Sequence, residues 1–150
     1  MFQKIYDKSR DKNIIVYLPD DYYVTEERYP VLYMNDGQNA FFDDQAYIGV
    51  SWGMEDYLKK SNLKVIVVAI PCVFSEYGRA SEYGPWDVLS GTLMRDDSHE
   101  LIKGTGEEYC QWLINDLKPY IDRRYRTLKD DTAMTGSSSG GIITAYACMK

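Results

Sequence analysis

Thr135-Gly136-Ser137-Ser138-Ser139-Gly140-Gly141 is the stretch whose reading decides the fold. It follows a short apolar run, Thr132-Ala133-Met134-Thr135, and leads into a helix-capable apolar tail. Its pattern is Gly-X-Ser-X-Gly, the sequence of a sharp strand-to-helix turn that lifts a serine hydroxyl off the top of a sheet. So tight a bend leaves little room two residues to either side, and Gly136 and Gly140 supply that room around Ser138. A frame centred on Ser137 would need glycine at Thr135 and Ser139, and one centred on Ser139 would need it at Ser137. Ser138 is the one serine with both.

Upstream of this turn, Thr105 and Glu108 form a capping box. The helix they open keeps Tyr109, Trp112, Leu113, Leu117, Tyr120 and Ile121 on one apolar stripe, with Pro119 placed to kink its last turns. Arg123, Arg124 and Arg126 close it, where cations meet the negative end of the helix dipole. Residues 71–104, punctuated by Gly78, Gly84, Pro85, Gly91 and Gly104, read as one long irregular segment. So long a loop in a folded domain suits an active-site wall.

Further back, Val65-Ile66-Val67-Val68-Ala69-Ile70 is β-branched almost throughout and stopped by Pro71, which predicts a strand. Ser51 is a plausible N-cap for a short helix over Trp52 to Lys60. The apolar run Pro30 to Met34 predicts a strand buried on both faces and ends at the turn Asn35-Asp36-Gly37. Residues 2–7 and 13–18 predict an antiparallel hairpin. Alternation of strands and helices after that hairpin predicts an α/β fold with a mostly parallel sheet and flanking helices, a single domain over 1–150.

Composition narrows the classes. With 45% apolar and 14% aromatic residues the chain can bury a core, and a net charge of −6 argues against a nucleic-acid partner. Cys72, Cys110 and Cys148 are odd in number and widely spaced, which suggests neither a disulfide framework nor a metal site, and fits a reducing, cytoplasmic setting. No run reaches the length of a membrane span, and no membrane partner is expected. No cofactor is implied.

Several stretches together resemble the esterase D-like and enterochelin esterase-like branch of the α/β-hydrolases, in its N-terminal portion. They are Tyr29 to Asn39 with Phe41 and Phe42, Ser51-Trp52-Gly53, Tyr83-Gly84-Pro85-Trp86, Leu117 to Asp122 with Tyr125-Arg126-Thr127, and Gly136 to Gly141. The resemblance implies a serine esterase acting on a small-molecule ester through an acyl-enzyme on Ser138. It implies oxyanion donors at the backbone N–H groups of Ser139 and Gln38, and suggests Phe41, Tyr83 and Trp86 as substrate-pocket residues.

The family orders its triad serine, acid, histidine, and no acid or histidine follows Ser138. The only histidine, His99, sits in the polar stretch Asp96-Asp97-Ser98-His99-Glu100. The expectation is therefore a domain truncated after the elbow helix, with acid and base beyond residue 150. A further expectation is that the elbow strand becomes a sheet edge through which the chain self-associates. Two other readings stand beside the esterase: a non-catalytic interaction or structural protein on a hydrolase scaffold, and an anion- or nucleotide-binding module with Gly136 to Gly141 at a helix N-terminus.

Overall fold

Five strands form one sheet in the computed structural model, which describes residues 1–94 and 97–150, with backbone alone at Met94. In chain order the strands are β1 (Phe2–Asp7), β2 (Lys12–Tyr17), β3 (Tyr29–Asn35), β4 (Ile66–Ile70), β5 (Val88–Leu89), β6 (Leu101–Ile102) and β7 (Thr127–Thr135). The helices are α1 (Met54–Ser61), α2 (Gly78–Tyr83), α3 (Ser90–Met94), α4 (Gly106–Trp112), α5 (Lys118–Arg124) and α6 (Ser139–Ala147). A 3-10 turn occupies Gly37–Asn39, and a π-helical turn, Leu113–Leu117, joins α4 to α5. The chain divides into two compact units: Met1–Pro71 with Ile121–Thr135, and Cys72–Tyr120 with Gly136–Lys150.

The first unit holds the sheet, in the order β1-β2-β4-β3-β7. The expected hairpin is present, pairing Phe2 with Tyr17 and Asp7 with Lys12. Strands β4, β3 and β7 run parallel to one another, and β2 meets β4 antiparallel. Period-two alternation sends Tyr17, Met34, Val67 and Ala69 to one face, where they pack with Leu58 of α1 and with Phe41. Val31, Tyr33, Ile66, Val68 and Ile70 take the opposite face, all buried. The Tyr33 hydroxyl has no hydrogen-bond partner among the described residues. Burial, above all, pushes its pKa well above the ordinary value, helped by the negative charge of Asp122 on α5.

Local chemistry moved several boundaries. Helix α1 begins at Met54 behind Gly53, which takes a left-handed φ of 64°, and not behind Ser51. The Ser51 N–H is held by Asp43 Oδ1 at 2.8 Å, which fixes Ser51 in the preceding loop. Strand β7 is longer than its apolar end, because Thr127 pairs with Tyr29 of β3 before a register shift, after which Thr132 to Thr135 pair with Val31 to Met34. Arg123 and Arg124 lie in the last turn of α5 as expected. Arg126 does different work: its guanidinium donates to the carbonyls of Tyr22, Thr25 and Glu27 and lies 4.0 Å over the Tyr22 ring.

In the second unit, residues 71–104 are not one irregular loop: they contain α2, α3 and the short antiparallel pair β5–β6. Helix α2 packs against α4 and α6. Gly106 marks how close the backbones come, since its N–H donates to Gly84 O at 2.9 Å and a Cβ there would sit 2.9 Å from the same oxygen. Thr105 precedes α4, but its side chain makes no capping bond. Its hydroxyl donates to Ser81 O at 3.2 Å, so the capping box is not formed. The kink expected from Pro119 takes the form of the π-helical turn immediately before it, where a ring without an N–H breaks the regular ladder. No helix is long and apolar enough to cross a membrane among the described residues.

Candidate active site

Two turns leave the carboxyl ends of neighbouring parallel strands. β3 and β7 are paired with Met34 opposite Thr135, so both chains exit at the same level. Each exit holds a non-glycine residue at positive φ, Asp36 or Ser138, and a glycine that admits no side chain, next to Asp36 in the first case and two residues before Ser138 in the second.

After β3, Asp36 adopts φ 54° and ψ 37°, and Gly37 opens the 3-10 turn that contains Gln38. A Cβ on Gly37 would lie 2.3 Å from both the Ala69 carbonyl carbon and the Ile70 nitrogen of β4, so only glycine allows this approach. Asn35, Asp36 and Gln38 are all buried. Asn39 then ties down the following loop, its Oδ1 accepting from Tyr47 N–H at 2.8 Å and its carbonyl from Trp52 N–H at 2.7 Å.

After β7, Ser138 adopts φ 54° and ψ −122°, a combination that residues other than glycine rarely occupy. Helix α6 starts at the next residue. The Ser138 carbonyl accepts from Gly141 N–H at 2.9 Å and Ile142 N–H at 3.1 Å, while Ser137 O accepts from Gly140 N–H at 2.8 Å. A Cβ on Gly136 would stand 2.3 Å from Gly140 O, so glycine at 136 is a steric requirement of this turn. The Arg79 guanidinium also donates to Ser137 O, at 3.1 Å, a brace from α2 that no sequence motif announced.

The turn presents Ser138 as an exposed side chain at the N-cap of α6. Its hydroxyl makes no hydrogen bond, and the Ser139 N–H, the first of the helix, donates to no group, among the described residues. His99 is exposed, as are Asp97 and Glu100; Asp96 of that polar stretch lies outside the described residues.

The three aromatic pocket candidates sit in different settings. Phe41 is 8% exposed, belongs to the first unit, and with Phe42 lines an open cavity of about 460 Å³. Tyr83 is 1% exposed in the second unit, its ring edge-on to Tyr109 and under the Arg79 guanidinium. Trp86, also in the second unit, is 68% exposed, with its ring nearly perpendicular to that of Tyr146 at 5.9 Å between centroids. The Tyr146 hydroxyl donates to Glu107, which also pairs with Lys150 at 2.7 Å. Lys150 first, then Tyr146 and Gln111, hold the Glu107 carboxyl at about 2. No cluster of three or more His, Cys, Asp or Glu side chains suited to a metal occurs among the described residues.

A sequence model of the family described as "Putative esterase" matches residues 8–150. The protein YbbA of Bacillus subtilis (strain 168) is 24% identical over 146 residues, which cover 95% of this chain and 53% of YbbA. Among solved structures, an IroE-like serine hydrolase from Shewanella oneidensis is similar with a TM-score of 0.72 and 21% identity, over 98% of this chain and 45% of that one. A ferulic acid esterase from Anaeromyces mucronatus, solved with ferulic acid, is similar with a TM-score of 0.58 and 20% identity, over 98% and 52%. The chain thus spans about half the length of these relatives, and the structural likeness is one of fold.

Proposed function

The chain belongs to the Putative esterase family, and on that premise we propose that it carries the nucleophile and oxyanion half of a serine ester hydrolase. The observation that carries this reading is the backbone of Ser138, φ 54° and ψ −122°, at the start of α6. Holding a serine in so unfavourable a conformation costs on the order of 1–3 kcal/mol, and such strain is characteristic of functional sites. In this mechanism Ser138 Oγ attacks the ester carbonyl and its proton passes to a general base. The oxyanion is received by the N–H groups of Ser139 and Gln38, each worth about 10²–10³ in rate in comparable sites. Expulsion of the alcohol leaves an acyl-enzyme, and water then attacks the same carbonyl to release the acid.

A serine without a base is a weak nucleophile at neutral pH. The acid and histidine of the triad are proposed to lie beyond residue 150 in the whole protein. Tyr83 and Trp86 are proposed to contribute to the substrate wall together with Phe41. The reading is tested with a fluorophosphonate probe on the whole protein: Ser138 is labelled, and Ser138→Ala abolishes labelling. Absence of labelling in a whole protein containing a histidine after Ser138 overturns it in favour of a non-catalytic scaffold.

The exposed side of β7 supports a second element of this proposal. This strand pairs only with β3 among the described residues, and residues 128–133 are exposed. Its outer backbone groups offer a template for another strand, and the 150-residue chain alone is proposed to self-associate there. Size-exclusion with light scattering is expected to show mass growing with concentration, and a clean monomer at high concentration removes the idea.

A further inference from the structure

We propose that Arg79 of α2 is a positioning residue for Ser138: its guanidinium locks the peptide that precedes the serine and so keeps the elbow in its strained form. Its value to catalysis rests on the ester-hydrolase reading, while the restraint itself lies wholly within the second unit, which contains Arg79, Ser137 and Ser138. The guanidinium donates to Ser137 O at 3.1 Å. That oxygen shares a peptide plane with the Ser138 nitrogen, so whatever holds the carbonyl also fixes one end of the φ rotation at Ser138.

A φ of 54° with a ψ of −122° is released most simply by a turn of that plane, in which ψ of Ser137 and φ of Ser138 change together and the rest of the chain stays in place. Such a turn swings Ser137 O away from the Gly140 N–H at 2.8 Å and from Arg79. The peptide after the serine is held separately, by the Gly141 and Ile142 N–H groups on Ser138 O. Of these four donors, three belong to α6, the helix that the elbow itself begins. Arg79 is the one that comes from another element.

The guanidinium is itself anchored. Tyr83, four residues on and therefore on the same side of α2, carries its ring beneath the guanidinium carbon, which lies 5.5 Å from the centroid. Tyr83 is 1% exposed and meets Tyr109 of α4 edge-on, at 5.5 Å between centroids, and α2 packs on both α4 and α6. The restraint thus runs from the packed interior of the second unit to the elbow. A hydrogen bond from a charged donor is stronger than one between neutral groups, and a guanidinium keeps its charge across the working pH range. Its strength is comparable to the strain it opposes.

The test compares Arg79→Met and Arg79→Lys with the parent in the whole protein. Arg79→Met keeps an apolar stem over Tyr83 and removes the donor, so fluorophosphonate labelling of Ser138 should slow roughly tenfold, the low end for losing a charged hydrogen bond. Arg79→Lys keeps a charged donor and should recover part of that rate. Both variants should keep the parent's circular dichroism. Stability supplies a readout that needs no activity. Ser138→Gly removes the strained residue and should raise the denaturation midpoint of the parent, but not that of Arg79→Met, whose elbow has already relaxed. An unchanged labelling rate in Arg79→Met, or equal slowing in both variants, overturns the proposal. So does a response to Ser138→Gly that is the same with and without Arg79. A parent that is not labelled sinks the esterase reading, and the Ser138→Gly comparison then decides the restraint by itself. A labelled parent whose Arg79→Met variant labels equally fast sinks the restraint and leaves the esterase reading standing.

Discussion

β4 and β7 flank β3 on opposite sides and run parallel to it, yet they are built from opposite materials. Every residue of β4, Ile66 to Ile70, is buried. In β7 only Thr127 is buried and residues 128–133 are exposed. The difference follows from neighbours. β4 has a strand on each side and a packed layer on each face, so apolar side chains are the only ones it can hold without unsatisfied groups. β7 has one strand neighbour, and its Lys129, Asp130 and Asp131 reach water. The same sheet thus keeps its apolar burial in β4 and its strained backbone at the end of β7.

The largest expected effect measures that difference directly. Ile66→Ala should cost about 2–5 kcal/mol, the range for emptying a fully buried aliphatic site. Leu128→Ala on β7, 40% exposed, should cost less than about 1 kcal/mol. Paired denaturant curves of the two variants provide the check. Similar losses would mean that β7 is covered in solution, which is also how self-association through that edge would announce itself.

The next effect moves to the exits of the strands. Gly136→Ala puts a methyl 2.3 Å from Gly140 O, a backbone atom that cannot swing away. The expected cost is about 1–3 kcal/mol, typical of overpacking, together with loss of fluorophosphonate labelling at Ser138 in the whole protein. Stability lost with labelling intact would show that the elbow relaxes without disturbing the serine.

A gain is expected at the next residue but one. Ser138→Gly relieves a φ of 54° with ψ of −122°, worth on the order of 1–3 kcal/mol, and gives back roughly 0.5–1 kcal/mol through the freer unfolded chain. The net is a rise of about 1 kcal/mol, while Ser138→Ala should give none. A stability curve in which both variants match the parent would mean that the strain is absent in solution.

The contrast between the two strands also explains what could be read in advance. Val65 to Ile70 announced itself because burial on both faces leaves an uninterrupted β-branched run. β7 was legible only at Thr132 to Thr135, because Lys129-Asp130-Asp131 carries no apolar period and falls in the register shift between the Thr127 and Thr132 pairs with β3. The elbow was legible at Gly136 because the backbone of Gly140 leaves no room there for a Cβ, and an excluded Cβ is written as a glycine. Short elements such as α2 and β5–β6 were not, since Gly78 to Tyr83 is shaped by packing against α4 and α6 and not by its own periodicity. Ser51 and Thr105 had the chemistry of caps, but tertiary partners, Asp43 and Ser81, claimed them first.

The smallest effect concerns the helix that follows β7. Where β4 is held by apolar burial that no change of pH can touch, α6 is fastened at its end by a charged cluster of Glu107, Tyr146 and Lys150. The Glu107 carboxyl is held at about 2 against an ordinary 4.5. A depressed carboxylate contributes stability that is fully present above its unfolded value and disappears as the folded form takes up its proton. The contribution should therefore be complete above about pH 4.5 and fade as pH falls toward 2. Its size is limited by solvent, since Glu107 and Lys150 are each more than a third exposed, and concentrated salt should erase it. Lys150→Met removes the leading cause of the shift, so its melting temperature should fall less steeply than the parent's between pH 4.5 and 2. Parallel curves for the two proteins across that window would mean that the cluster does not hold α6 in solution.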